Sequence, residues 1–75
     1  TKIMLEQVKE IVAEALGVEK DTLTENTNFK EDLNADSLDL FEMIMTFEEE
    51  FGKEIPAEDL EKITTIGAVV AYLEA

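Results

Sequence analysis

From Ser37 to Phe51 the apolar residues Leu40, Met43, Ile44, Phe47 and Phe51 recur at helical spacing. At about 100° per residue they fall on one broad face, so this stretch reads as a helix with one side buried. Asp36 stands ahead of it as an N-cap, Asp39 adds negative charge to the first turn where the helix dipole favours it, and Gly52 ends it. A helix with a buried side needs partners, and two other stretches supply them. Between about Lys2 and Leu16 the residues Met4, Val8, Ile11, Val12, Ala15 and Leu16 keep the same period and leave Glu6, Lys9, Glu10 and Glu14 to solvent. Gly17 follows where a left-handed cap is commonly needed, and Val18 can pack back. Further on, Thr64 or Thr65 can cap a last helix whose Ile66, Val69, Val70 and Leu73 face inward, with Tyr72 at an edge and its hydroxyl in water.

The connections are uneven. Glu19 to Asp36 has no sustained period and is rich in turn and cap formers such as Asp21, Thr24, Asn26 and Asn28. A structureless connection of that length is unusual in a compact domain, so Leu23, Phe29 and Leu33 are read as anchors, with a single helical turn near Phe29. Ile55-Pro56 predicts an extended residue followed by a short helix ending near Lys62. Gly67, inside the last helix, costs about 1 kcal/mol relative to alanine, which a close helix approach would explain. The expectation is an all-α fold, a small four-helix bundle with three main helices, one short helix and a long loop between the first and second helices. At 75 residues the chain has material for one core, so residues 1–75 are read as a single domain.

The absences matter as much. The chain has no cysteine and no histidine, which removes disulfides, the usual zinc and iron ligands, and the imidazole that activates a nucleophile. Asp32, Asn34 and Asp36 match the first three ligand positions of an EF-hand loop, but Ser37 stands where glycine is wanted and Met43 where a bidentate glutamate should close the site. No metal site is expected. An acidic Ca²⁺-binding or helical interaction module is kept as the alternative from a different class. Nineteen acidic residues against six basic ones give a formal charge of −13. That balance argues against nucleic acid and anionic membranes and favours proteins with basic patches. With no apolar run of membrane-spanning length and no signal-peptide pattern at Thr1-Lys2-Ile3, a cytosolic or organelle-matrix location is expected, and we take the cytoplasm.

Ser37 is the only serine. At a helix start between Asp36 and Asp39 its hydroxyl has two readings, a cap or an attachment point held out to solvent. Asp36 can already fill the capping role. A phosphate ester on Ser37 would lie at a helix N-terminus, whose free N–H groups favour an anion, although Asp36 and Asp39 would oppose it. The same helix carries a second apolar stripe, Leu38, Phe41 and Met45, bordered by Glu42, Glu48 and Glu49. Periodicity leaves two readings open here too, further core or a docking surface for a partner with an apolar groove and a basic rim.

Asp36-Ser37-Leu38, preceded by Asp32-Leu33 and followed by Asp39, resembles the attachment motif of acyl carrier proteins. Phe29 through Leu38, Phe47-Glu48-Glu49-Glu50-Phe51, Glu54-Ile55-Pro56 and Glu61-Lys62-Ile63-Thr64-Thr65 are all similar to the matching segments of bacterial type II fatty-acid-synthase carriers. The resemblance implies 4′-phosphopantetheine on Ser37, added from coenzyme A by a separate phosphopantetheinyl transferase. It implies a non-catalytic, monomeric carrier of fatty acyl thioesters whose acyl chain is held in the bundle. Fatty acid synthesis enzymes would dock on Asp36, Leu38, Asp39, Phe41, Glu42, Met45, Glu48 and Glu49. Polyketide and D-alanyl carriers of the same fold are the nearest rivals. Two positions depart from the pattern: the family commonly has glycine where Asn34 stands, a residue that tolerates left-handed backbone, and Phe41 is bulkier than the usual aliphatic residue.

Overall fold

The first apolar stripe forms helix α1, Lys2–Leu16. Val8 and Val12 are fully buried, and Met4, Ile11 and Leu16 pack half-buried around them. The helix ends as the sequence predicts. Gly17 takes φ 67°, and the Val18 N–H reaches back to the Ala13 carbonyl at 3.1 Å, satisfying an orphan carbonyl of the last turn. The computed structural model describes residues 2–74, without the side chains of Lys2 and Ala57, so Thr1 and Ala75 of the expected domain lie outside the described residues.

Helix α2 spans Ser37–Phe51, with Leu40, Met43, Ile44 and Phe47 buried and Gly52 at φ 62° as its left-handed end. Helix α3 spans Ile66–Glu74 and buries Ile66, Val69, Val70 and Leu73. Both α2 and α3 pack on α1. The fourth helix, Ala57–Lys62, is a 3₁₀ helix, and a further 3₁₀ turn covers Lys20–Thr22. That turn is tied to α1 by Lys20 Nζ to Glu6 Oε1 at 3.1 Å, which holds the Glu6 carboxyl below its usual range.

The single helical turn expected near Phe29 is present, closed by Asp32 N–H to the Asn28 carbonyl at 3.0 Å and not propagated. Two details depart from expectation here. Ala15 is exposed, because it sits in an open groove with Ile11, Thr46 and Glu50 that a single methyl group does not fill. The second is Gly67, whose close neighbour is a loop and not a helix. A Cβ there would lie 2.9 Å from the Glu25 carbonyl oxygen, the same oxygen that accepts the Gly67 N–H at 2.8 Å.

The α1–α2 connection is therefore bonded to the start of α3. Ile66 N–H donates to the Thr27 carbonyl at 3.1 Å, Gly67 N–H to Glu25, and Ala68 N–H to Thr65 Oγ1 at 3.1 Å. Thr65, one of the two expected caps, takes that role. Phe29 N–H donates to the Thr64 carbonyl at 3.0 Å, and the Phe29 ring is fully buried. Leu23 is buried and Leu33 half-buried, as anchors should be.

Helix propensity favours Gly67→Ala by about 1 kcal/mol. The carbonyl contact predicts the opposite sign, a net destabilisation of about 1–3 kcal/mol as the loop is pushed off α3. Urea unfolding decides, and a stabilised variant would show that the loop yields freely.

Candidate functional site

Ser37 is the first residue of α2 and is exposed. Its position is set from the loop side. Asn28 Oδ1 accepts from the Lys30 and Glu31 N–H groups at 2.9 Å each, and Asp32 Oδ2 accepts from Asn28 N–H at 2.8 Å, so the turn after Thr27 is closed by its own side chains. The chain then reverses through Asn34 at φ 55°, the left-handed conformation that asparagine tolerates. Ala35 follows, buried, with its N–H on the Phe29 carbonyl at 2.8 Å. Asp36 comes next in extended conformation and caps α2 through Asp39 N–H to Asp36 Oδ1 at 2.8 Å. The reciprocal bond, Asp36 N–H to Asp39 Oδ2, is long at 3.5 Å. The cap is thus filled without Ser37. Its hydroxyl has no hydrogen-bond partner among the described residues.

The second stripe of α2 lies outside the core. Leu38, Phe41 and Met45 are 66%, 48% and 49% exposed, and exposed Glu42 and Glu49 share their face. The five span about 100° of the helix. Glu48 is turned aside: it is half-buried, and its Oε2 accepts the Ile55 N–H at 2.7 Å. Asp36 and Asp39 sit at the helix start, engaged with each other.

One turn beyond Ser37 the Leu40 side chain lines a cavity of about 50 Å³, shared with Phe29, Leu60 and Ile63 and with Lys30 and Glu61. A larger, more open groove of about 320 Å³ lies elsewhere, lined by Glu10, Ile11, Glu14, Glu50 and Phe51. At 1.5 Å per residue it is roughly 20 Å along α2 from Ser37. The smaller cavity is the one nearer the serine, three residues along α2 at Leu40. Its 3₁₀ wall is tied to α3 by the Tyr72 hydroxyl, which donates to Asp59 Oδ2 at 2.9 Å. The sequence reading put that hydroxyl in water. It could not foresee Asp59, thirteen positions away, nor Lys30 and Glu61 beside the cavity, because no local periodicity links them.

A family described as phosphopantetheine attachment site matches residues 6–73. The acyl carrier protein of Zymomonas mobilis is 54% identical over 69 residues, covering 92% of this chain and 88% of that protein. The chain belongs to the acyl carrier protein family. The acyl carrier protein of Lactobacillus acidophilus is 49% identical over 69 residues, 92% of this chain and 86% of that one. A solved acyl carrier protein structure from Enterococcus faecalis superposes with a TM-score of 0.81 at 43% identity, covering 96% of this chain and 91% of that chain.

The prosthetic group of an acyl carrier protein of this kind is 4′-phosphopantetheine. The residues here suit it. An exposed hydroxyl relieved of capping, at the N-terminus of a 15-residue helix, offers a free nucleophile and backbone N–H groups favourable to a phosphodiester. A small cavity lined in part by Phe29, Leu40, Leu60 and Ile63 lies within one turn of it. The chain has no cysteine thiol and no histidine imidazole of its own.

Tyr72 is the sole tyrosine, so its titration is readable in the tyrosinate absorbance. Its hydrogen bond to Asp59, with burial second, raises its pKa above the ordinary value of 10.0. A raised folded-state value means that the contribution to stability is complete below the unfolded value and is lost as pH rises through the folded one. The folded protein should therefore titrate at higher pH than the urea-unfolded chain, and Asp59→Ala should bring the midpoint down. Coincident midpoints in Asp59→Ala and the unsubstituted protein would show that the bond does not form in solution.

Proposed function

We propose that residues 1–75 act as one carrier domain that holds growing fatty acyl chains as thioesters on a 4′-phosphopantetheine arm joined to Ser37. The observation that carries this reading is an exposed, unpartnered Ser37 hydroxyl at a helix start already capped by Asp36. In loading, Ser37 Oγ forms the bond to the pantetheine-bearing phosphorus as the pyrophosphate linkage of coenzyme A breaks, and adenosine 3′,5′-bisphosphate leaves. The departing proton goes to a base that a phosphopantetheinyl transferase must bring. Once bound, the arm supplies the thiol that the chain lacks.

The protein then works by presentation. Leu38, Phe41 and Met45, with Glu42 and Glu49 around them, form the surface that fatty acid synthesis enzymes grip through apolar pockets rimmed by basic residues. Asp36 and Asp39 add charge at the serine end. Glu48, included from the family pattern, contributes to this surface mainly by fixing the extended segment that leads to the 3₁₀ helix. Between encounters the acyl chain withdraws toward the cavity beside Leu40. The carrier acts as a monomer in the cytoplasm, and its net charge keeps copies apart.

Incubation with coenzyme A and a broad-specificity phosphopantetheinyl transferase should add one phosphopantetheine mass to the protein and none to Ser37→Ala. No gain in the unsubstituted protein, beside a working control carrier, refutes the assignment. For docking, Glu42→Lys and Glu49→Lys should each lower kcat/KM of carrier-dependent enzymes by about three- to tenfold, with the loss shrinking at high salt. Unchanged rates in both, with unchanged circular dichroism, would remove these two residues from the docking surface.

A further inference from the structure

One wall of the cavity beside Ser37 belongs to no α-helix. Leu60 lies in the 3₁₀ helix Ala57–Lys62 and Ile63 immediately follows it, and both line the cavity. Six residues is long for a 3₁₀ helix, whose hydrogen-bond geometry is poor, and Pro56 at its start provides no side-chain cap. Such a segment depends on what ties it down. Side-chain hydrogen bonds join it and its approach to the α-helices, and Lys53 Nζ in the approach lies 5.8 Å from the Tyr72 ring centroid. Glu48 of α2 accepts from Ile55 N–H at 2.7 Å, before the segment begins, and Tyr72 of α3 donates to Asp59 at 2.9 Å, in its middle. The Lys62 to Asp59 ion pair, 3.7 Å long with Lys62 mostly in solvent, lies within the segment and anchors it to nothing.

At about 50 Å³ the cavity is far below the roughly 300–1,000 Å³ of sites that bury drug-sized ligands. An acyl chain of more than a few carbons enters only if a wall moves. The 3₁₀ wall has the weakest internal support, and the Tyr72 bond is the tether that spans the part that must yield.

We propose that the Tyr72–Asp59 hydrogen bond is a specificity-determining contact, which holds the 3₁₀ wall against α3 and so sets the shortest acyl chain the bundle takes in. This rests on the carrier reading given above. Each methylene that enters gains apolar burial, and opening the wall costs the bond. The net worth of one hydrogen bond is close to that of burying one methylene, so its loss lowers the threshold by about one or two carbons.

The test uses Tyr72→Phe and Asp59→Ala beside the unsubstituted protein, each loaded by a phosphopantetheinyl transferase from linear acyl-coenzyme A of increasing length. Hydroxylamine cleavage of the thioester reports shelter, since a withdrawn chain reacts slowly. Near the threshold both variants should cleave about fivefold more slowly than the unsubstituted protein, and protection should begin one or two carbons earlier. In the unloaded proteins the amides of 60–63 should exchange about fivefold faster in both variants. The double variant should match either single one, because one contact is removed in all three. Variants that load fully by mass yet keep the original threshold overturn the proposal. Failure of the unsubstituted protein to gain any acyl-phosphopantetheine mass overturns the carrier reading, and this inference falls with it.

Discussion

The structure depends on the donors at the start of α3. The first N–H groups of any helix have no partner inside it, and a buried donor left unmatched costs about 1–3 kcal/mol. Here the partners are carbonyls of the α1–α2 connection, Thr27 for Ile66 and Glu25 for Gly67. Those bonds turn an 18-residue stretch with no helical period into a fixed part of the fold. They bring Phe29 into the core, and the Phe29 carbonyl in turn holds Ala35, the residue two before the serine. Gly67 follows from the same interaction, since only a residue without a Cβ lets a carbonyl come so near the helix. A glycine that weakens its own helix thereby strengthens the joint between that helix and the α1–α2 connection.

Helix α2 meets two opposed demands. One face must be buried for so small a chain to fold, and it supplies Met43, Ile44 and Phe47 to the core. The other leaves Leu38, Phe41 and Met45 about half exposed or more, where they contribute less to folding and invite association. The surrounding acids reconcile the two, because like charge discourages self-pairing while attracting a basic partner. The cap follows a similar division of labour. Asp36 satisfies the backbone, and Ser37 beside it stays free for chemistry.

Much of this was legible in the residues, wherever the physics is local. The bounds of α2, its cap at Asp36 and the glycine ends of α1 and α2 depend on contacts within a few positions, and they stand as read. The left-handed Asn34 stands too, as the resemblance to a family with glycine there implies. The misreadings share one cause. Ala15, the Tyr72 hydroxyl and Gly67 were each assigned from helical position alone, and each is decided by a neighbour far along the chain. The bond from Ile55 N–H to the Glu48 carboxylate was likewise beyond local reading, since a place on the acidic border says nothing of a partner seven positions on.

The sequence by itself determined the helices, the acidity, the existence of a second apolar stripe and the identity of the one serine, while only the fold left that stripe exposed. Periodicity, capping and charge act through nearest neighbours, and the amino acids carry them directly. Tertiary structure alone decided whether the serine was a cap or a free hydroxyl, which residues wall the cavity beside it, and what holds that wall in place. Those properties arise where the loop, α2, α3 and the 3₁₀ helix meet, and only the folded chain brings them within hydrogen-bonding distance.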